Sequence, residues 1–587
     1  MGILKFHGQL IKHLGIEYHN APTGSVPTRV SGMMIDLNDL LHFFAQMVFQ
    51  YGDFENIKPI PASKSNADLE KEMIKRLLGR LDFYLEEISP EDYFIAAVDG
   101  PAPLAKIQQQ RKRRYEGGGK MTTDRFDSAY LSPGTELMEK IHLALERWFQ
   151  QRYKEKRLPP FACYSSFHQP GEGEHKMIEI LLRNERKIAE VSGAREAGLH
   201  LIAGQDSDLL MLGSMMPQRY VIHYREDRKE EAKTGEPTAT LLLVDLFRSY
   251  VYKSFLRDRC ILDYVLAYFV FGNDFIPKNP ALTDAVVTMN DLSKAYIQNG
   301  KRLVDNKTGK INRSSFISFL QYLAPVEIDN LKVRATEYDP KKDGPFPLLV
   351  KNIPPTKKSG EGRQKVLDVD GFKKDWYKRC FDCYQLLNEH NPNQPKYISV
   401  EEMKQDMMEN YFEMLQWNLD YYMRNKNISW NFQYRFFFPP FLSDLALLPS
   451  EGEIPRRHDE TRKDVSILRQ LLMIIHPKRI EDFVPKQYAL LLDEKPLKNF
   501  SPAQPMFFED GHPARSRHQY VSLLPLVDNE SYDKEIFKLY HSEPPARLRV
   551  KDILPVIYVS SVEGKKNEEM PKIISTAKYE WTDEIVN

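Results

Sequence analysis

Apolar runs too short for ordinary helices punctuate the first part of the chain, and they constrain what it can become. VSGMMID (30–36), DYFIAAVD (92–99), FACYSS (161–166) and LHLIAGQDSD (199–208) read as buried strands. Between them lie amphipathic stretches such as LEKEMIKRLLGRLDFYLEEI and GTELMEKIHLALERWFQQRY, whose apolar residues recur at helical spacing. Apolar strands alternating with helices predict an α/β domain on a parallel sheet. Ligands of such sheets bind beyond the carboxyl ends of the strands.

The chain has 587 residues, of which 42% are hydrophobic and 28% charged, a globular composition with enough apolar residues for a large core. Lys plus Arg and Asp plus Glu both number 82, so any nucleic-acid binding must come from local patches rather than global charge. Four cysteines are too few for a disulfide framework and suit a reducing compartment. Cys380 and Cys383 form a lone CxxC, which reads as two helical cysteines rather than half a zinc site. No apolar run reaches the ~18 residues of a membrane span. The N-terminus MGILKFHGQL lacks a signal-peptide pattern, and Phe6 stands where myristoylation needs Ser or Thr. A soluble intracellular protein is expected, cytoplasmic rather than nuclear. Three segments are expected: an α/β region over 1–334, a Pro-, Gly- and Lys-rich connector or mobile insertion over 335–366, and a mainly helical region over 367–587.

Acidic residues fall where the apolar elements stop. MMID delivers Asp36, IAAVD delivers Asp99, and HLIAG is followed by Asp206 and Asp208. YFVFGNDFIP delivers Asp274, and PGEGEHK (170–176) places Glu172 and Glu174 on a glycine-rich entry to a helix. Singly, each has a plain alternative as a cap, a turn residue or an acidic first turn that complements the helix dipole. Seven carboxylates at equivalent places in one α/β domain repel one another unless cations neutralise them. Hard cations with oxygen ligands, Mg²⁺ or Mn²⁺, are the natural answer. Two such ions ~3.5–4 Å apart form the clamp used for in-line displacement at phosphorus.

Just after Asp99 comes GPAPLAKIQQQRKRRYEGGGK. Lys106, Gln110, Arg113 and Arg114 share one helical face. That face suits a phosphate monoester, which Arg binds bidentately. A solvated basic helix or a localisation signal is the alternative, and proximity to Asp99 favours the phosphate pocket. A terminal phosphate held beside a metal site describes an exonuclease that reads from an end.

These motifs resemble the Xrn/Rat family of 5′→3′ exoribonucleases. MGILKF, MIDLNDLLH, AVDGPAPLAKIQQQRKRRY, LSPGTELMEKI, PGEGEHKMIE, AGQDSDLLMLG and VFGNDFIPKNP match its motifs in order. LQWNLDYYMRNKNISWNFQYRFFFPPFLSDL follows, and DGHPARSRHQYVSLLPLVDNE is similar to the family's closing segment. The resemblance implies a PIN- or flap-nuclease-like α/β domain with its acidic site at the strand carboxyl ends, against which a mainly helical second region packs and completes the site. It implies that Asp36, Asp99, Glu172, Glu174, Asp206, Asp208 and Asp274 are catalytic and metal-binding, with Mg²⁺ or Mn²⁺, two ions, as cofactor. It implies that Lys106, Gln110, Arg113 and Arg114 bind the 5′-monophosphate, and that His42 stacks on the terminal base. The family's SWxW motif reads Trp430 and Phe432 here, so either can be the stacking partner; Trp417 is assigned to the core. The expected partner is single-stranded RNA with a 5′-monophosphate. The enzyme is expected to act as a monomer away from membranes, with no decapping or processing factor identified. The short linker and the end soon after the second region lead us to expect a catalytic core without the C-terminal domains of the larger members. The competing readings are a DNA-directed or flap-type 5′ nuclease and a non-catalytic RNA-binding scaffold. No helix-hairpin-helix signature favours the first, and none of the seven acids is missing, as the second requires.

Overall fold

The computed structural model describes residues 29–55, 60, 63–193, 198–235, 237–282, 289–339, 341, 346–353, 366–423, 428–457, 465–509, 520–539, 544–549 and 555–560. The MGILKF motif and the first half of the closing motif DGHPARSRHQYVSLLPLVDNE lie outside them.

Five strands run parallel: β1 (Val30–Asp36), β2 (Tyr93–Ala97), β3 (Phe161–Ser165), β4 (Leu199–Ala203) and β5 (Val221–Glu226). Two edge strands complete a seven-stranded sheet, β6 (Ala239–Leu243) and β9 (Val556–Val559), while β7 (Met506–Glu509) and β8 (Tyr520–Leu523) pair apart from it. The order is β6-β5-β4-β1-β2-β3-β9. The expected parallel sheet is therefore a mixed one, because both edges are antiparallel. At one edge the short helical turn Arg228–Thr234 reverses the chain instead of carrying it across the sheet, and at the other the strand arrives from the far end of the sequence. The chain order reverses at β1, which has β2 on one side and β4 on the other. That is the switch point where α/β sheets hold ligands.

The central strands are buried on both faces, which is why they read as unbroken apolar runs. Met34, Ile95 and Cys163 enter one core, and their neighbours Met33, Ile35, Phe94 and Tyr164 enter the other. Eleven helices concern the site and its supports. They are α1 (Leu37–Phe49), α2 (Asn66–Phe83), α3 (Leu104–Glu116), α4 (Glu136–Lys154), α5 (Gly173–Ser192) and α6 (Asp208–Ser214), followed by α7 (Ile261–Phe269), α8 (Arg313–Glu337), α9 (Val369–Asn388), α10 (Val400–Tyr422) and α11 (Ile467–Ile474). α1, α2, α4 and α11 cover the second core, whereas α5 to α10 build the first. Residues expected in a separate second region thus pack on both sides of the sheet.

α10 is unusual in having no polar face over its last turns: every residue from Asn410 to Tyr422 is buried. A helix buried all round runs through an interior. Among its polar members, Gln416 donates to the Gly309 carbonyl at 3.0 Å and accepts from Ile311 N–H at 2.8 Å, whereas the Asn418 side-chain amide has no hydrogen-bond partner among the described residues. Trp417 lies in the core as expected and donates its Nε1–H to the Ser429 carbonyl at 2.8 Å. Cys380 and Cys383 are buried, free cysteines of α9. The segment expected to be an aperiodic connector contributes the end of α8 and a short helix, Pro347–Lys351. Among the described residues no helix is long and apolar enough to cross a membrane.

Ile95 is fully buried at the centre of the sheet between Met34 and Cys163. Ile95→Ala should destabilise the fold by ~2–5 kcal/mol, seen as a lower calorimetric melting temperature, whereas an unchanged transition would place this strand outside the core.

Candidate metal and phosphate site

The carboxyl ends of the parallel strands open onto one cavity of about 1160 Å³. Asp36 ends β1 and caps α1, its Oδ1 accepting from Asn38 N–H at 3.0 Å. Asp99, two residues beyond β2, accepts from Gly173 N–H at 2.7 Å, while its own N–H donates to Asn38 Oδ1 at 3.0 Å. Glu172 stands at the N-terminal boundary of α5 without a side-chain capping bond, and Glu174 lies in its first turn. Gly173 between them has a physical reason: a Cβ there would stand 3.0 Å from the Ala97 carbonyl oxygen and 3.1 Å from Asp36 Oδ1. The absence of a side chain lets the α5 terminus close onto the ends of β1 and β2. Asp206 and Asp208 follow β4, and Asp208 N–H donates to Asp206 Oδ1 at 3.2 Å. Asp274 follows an apolar run, as expected, and that run is α7 and a turn, whereas the runs before Asp36, Asp99 and Asp206 are strands. Gly272 makes that turn at φ +87, where a Cβ would meet Lys278 Cα at 2.7 Å.

Six of the seven acids line the cavity; Asp208 sits behind them, nearly buried, and accepts from Tyr422 Oη at 2.9 Å. The electrostatics record their crowding. Burial, then the charges of Asp99, Asp39 and Asp206, raise the Asp36 carboxyl well above its ordinary range. Burial and then Asp206, Glu172 and Asp208 do the same to Glu174, and burial with Asp206 and Asp274 pushes Asp208 up to about 8. Glu172 goes the other way: burial raises it, but Lys106 and His175 outweigh that and hold it low. Lys106 Nζ lies 2.5 Å from Glu172 Oε2 and 3.1 Å from Asp274 Oδ2. Ligand atoms of Glu172, Glu174 and His175 all fall within 4.8 Å of one another, so this acidic cluster could hold a metal ion. Oxygen donors with uncompensated negative charge fit a hard divalent cation.

The predicted basic face reaches two ends of the cavity. Lys106 stands at the acidic end of α3, while Arg113 and Arg114 stand two turns further along, ~11–12 Å by helix rise. All four residues of that face line the same cavity. Arg114 donates to Ser132 Oγ at 2.7 Å, and Gln110 Oε1 accepts from Gln470 Nε2 at 3.2 Å. Arg113 is exposed to the cavity and donates to Gln109 Oε1 at 3.0 Å. Burial, opposed by Asp127 and reinforced by Arg113, lowers Arg114 to about 10. Arg111, one residue off this face, is wholly buried and donates to the Pro525 carbonyl at 2.7 Å. It anchors the helix.

His42 opens into the cavity beside these arginines. The aromatic partner expected for it is not brought there. Trp430 is buried with its carbonyl accepting from Leu104 N–H at 2.9 Å, and Phe432 packs against the core under Arg457. Neither lines the cavity. The Trp430 ring packs in the interior while its backbone carries the start of α3, and Phe432 stays half-buried against the core.

Several residues at or behind the site escaped the sequence reading. His175 was within the quoted PGEGEHK motif. Tyr421 Oη donates to Glu172 Oε1 at 2.5 Å, and its neighbour Tyr422 reaches Asp208. Two buried hydroxyls ending an apolar helix need partners, and that requirement was the available signal. Arg225 ends β5, lines the acidic side and donates to Gln205 Oε1 from Nε and Nη2 at 3.3 and 3.2 Å. Residues after α11 close the remaining wall through His476, Arg479 and Phe483.

Although His42 faces the cavity, limited access to bulk water and then the charges of Arg114, Arg113 and Arg228 push its pKa below the ordinary 6.5. An imidazole whose folded pKa is depressed contributes stability above its unfolded pKa and loses it as the pH falls from there toward the folded value. The His42 ring proton signal in NMR should therefore stay at its neutral position as the pH is lowered through 6.5. A midpoint at that ordinary value would contradict the placement.

The family model described as "XRN 5'-3' exonuclease N-terminus" matches residues 1–124 and 116–227, the part that carries most of the acids and all of the basic face. The model "Xrn1 helical domain" matches residues 350–586, which supply α9 to α11 and the far wall. Among curated proteins, 5'-3' exoribonuclease 1 of Homo sapiens is 26% identical over 526 residues, covering 77% of this chain and 30% of the relative. The protein of the same name from Schizosaccharomyces pombe is 23% identical over 659 residues, covering 90% of this chain and 48% of its own length. 5'-3' exoribonuclease 2 of Gallus gallus is 23% identical over 640 residues, covering 83% and 64%. The chain thus spans between 30% and 64% of the length of these relatives. Since the two models together cover most of the sequence, in order and on the two halves that enclose one cavity, the chain belongs to the Xrn family of 5′→3′ exonucleases.

Proposed function

We propose that this protein is a processive 5′→3′ exoribonuclease that removes mononucleotides from single-stranded RNA bearing a 5′-monophosphate. One observation carries the reading: a single cavity has carboxylates at one end and Gln110, Arg113 and Arg114 at the other, on elements that fix their separation. The two arginines and the amide would hold the terminal phosphate, with Ser132 orienting Arg114. The neutral ring of His42 would stack on the first base, and stacking serves any base. A strand held this way presents its first phosphodiester toward the carboxylates. Asp36, Asp99, Glu172, Glu174, Asp206, Asp208 and Asp274 are the residues that would hold Mg²⁺ or Mn²⁺, two ions in this reading. Bound there, such ions would activate water and stabilise the leaving oxygen. Lys106, between Glu172 and Asp274, adds positive charge close to where that oxygen departs. Each cleavage leaves a new 5′-monophosphate, so every product strand is again the preferred substrate. Polarity and processivity then share one origin.

Asp206→Ala removes a carboxylate from the cluster and should reduce degradation by at least ~10³-fold, with RNA binding retained in a filter assay; near-wild-type turnover in excess Mg²⁺ would remove Asp206 from the site. Arg114→Ala should slow decay of 5′-monophosphate RNA by about 10²-fold while leaving the slower decay of 5′-hydroxyl RNA nearly unchanged. Time courses on end-labelled linear RNA, matched DNA and circular RNA test polarity and substrate class. Mononucleotides from the 5′ end of RNA are expected, and internal fragments from the circle would overturn the exonuclease reading.

A further inference from the structure

The two hydroxyls that α10 directs at the acidic cluster come from adjacent residues. Neighbours on an α-helix project about 100° apart, so one turn can address two separate targets. Tyr421 reaches Glu172, which follows β3, and Tyr422 reaches Asp208, which follows β4. Those strands stand three positions apart in the sheet, ~14 Å at their axes. The end of α10 therefore bridges both flanks of the switch point.

Neither ring is free to swing. Tyr421 is stacked on Trp417 at 5.1 Å and 9°, meets the edge of Phe275 at 5.5 Å, and has His175 against it at 4.2 Å. Tyr422 is wedged against Phe269 at 5.2 Å. The hydroxyls also select oxygens. Tyr421 occupies Oε1 of Glu172 while Lys106 takes Oε2, and Tyr422 occupies Oδ2 of Asp208. A hydrogen bond to one oxygen of a metal-binding carboxylate fixes the plane of the group and the direction of the other oxygen.

We propose that Tyr421 and Tyr422 are positioning residues: their donated hydrogen bonds hold Glu172 and Asp208 in the orientation that binds the divalent cation, so the cation site is assembled only with α10 in place. This inference rests on the proposed metal-dependent function. Neither residue touches the reacting atoms. Their contribution is to spare the carboxylates from reorienting when the cation arrives.

Tyr377 provides the control. It is a buried tyrosine of α9 that donates at 2.7 Å to Asp444 Oδ2, a carboxylate that does not belong to the acidic cluster. Calorimetric titration of the full chain with Mn²⁺, without RNA, should show affinity falling ~10–100-fold in Tyr421→Phe and in Tyr422→Phe. Tyr377→Phe should bind Mn²⁺ like the wild type while losing comparable thermal stability in chelator. Unchanged Mn²⁺ affinity in both α10 variants, or an equal loss in Tyr377→Phe, overturns the proposal. Should either variant fail to fold, 3-fluorotyrosine at position 421 or 422 keeps the hydroxyl, and its ¹⁹F signal must move on addition of Mg²⁺; a stationary signal overturns it as well. A wild type that takes up no Mn²⁺ would bring down the metal reading itself, whereas wild-type binding with unaffected variants brings down this inference alone.

Discussion

Like charges gathered at one edge of a sheet repel, and much of the architecture answers that repulsion. Asp36, Asp99, Glu174 and Asp208 are all held above their ordinary pKa, with burial as the first cause and neighbouring carboxylates behind it. Compensation comes from several sources at once. Peptide N–H groups of Asn38, Gly173 and Asp208 point at carboxylate oxygens. The Lys106 ammonium lies among the acids from the cavity side. Lys176 lies beneath them, buried and donating to the Ser166 carbonyl at 2.8 Å, its own pKa lowered to about 7 by burial against the pull of Asp99. No single partner suffices in so crowded a place, because each isolated buried charge would be costly.

Position on the α3 helix decides what each basic residue does. Lys106 belongs to the acids, Arg113 and Arg114 face the cavity at its other end, and Arg111 turns inward to lie over the Tyr115 ring at 5.1 Å. The far side of the helix is fixed by the second region, through the Trp430 carbonyl on Leu104 and through Gln470, which accepts from Ala102 N–H at 2.9 Å and donates to Gln110. A helix held on both sides keeps a constant spacing between its ends, which the proposed end-reading function would need.

The central strands and most acids were legible because a strand buried on both faces writes an unbroken apolar run, and the carboxylate that follows it stands out. The run before Asp274 was legible as apolar but not as an element, since a short apolar run does not distinguish α7 from a strand. The antiparallel edges were not legible: β9 pairs with β3 across most of the chain, and no local pattern encodes such a partner. The direction in which Trp430 and Phe432 face was not legible for a related reason, because a motif names a ring but not what it meets. Tyr421 and Tyr422 were hidden by the burial of α10 on every side, which leaves no apolar stripe from which to infer what any one residue meets.

The pairing of β3 with β9 also has a dimension in time. Phe161 is joined to Val559, a residue made 398 positions later. At ~5–20 residues per second of synthesis, the strand waits about 20 to 80 s with its outer backbone groups unpaired. An open strand edge is a template for other chains. At five residues, β3 offers that template little length. The covering of its edge marks the moment at which a nascent chain has delivered α10, the far wall of the cavity and the last strand together.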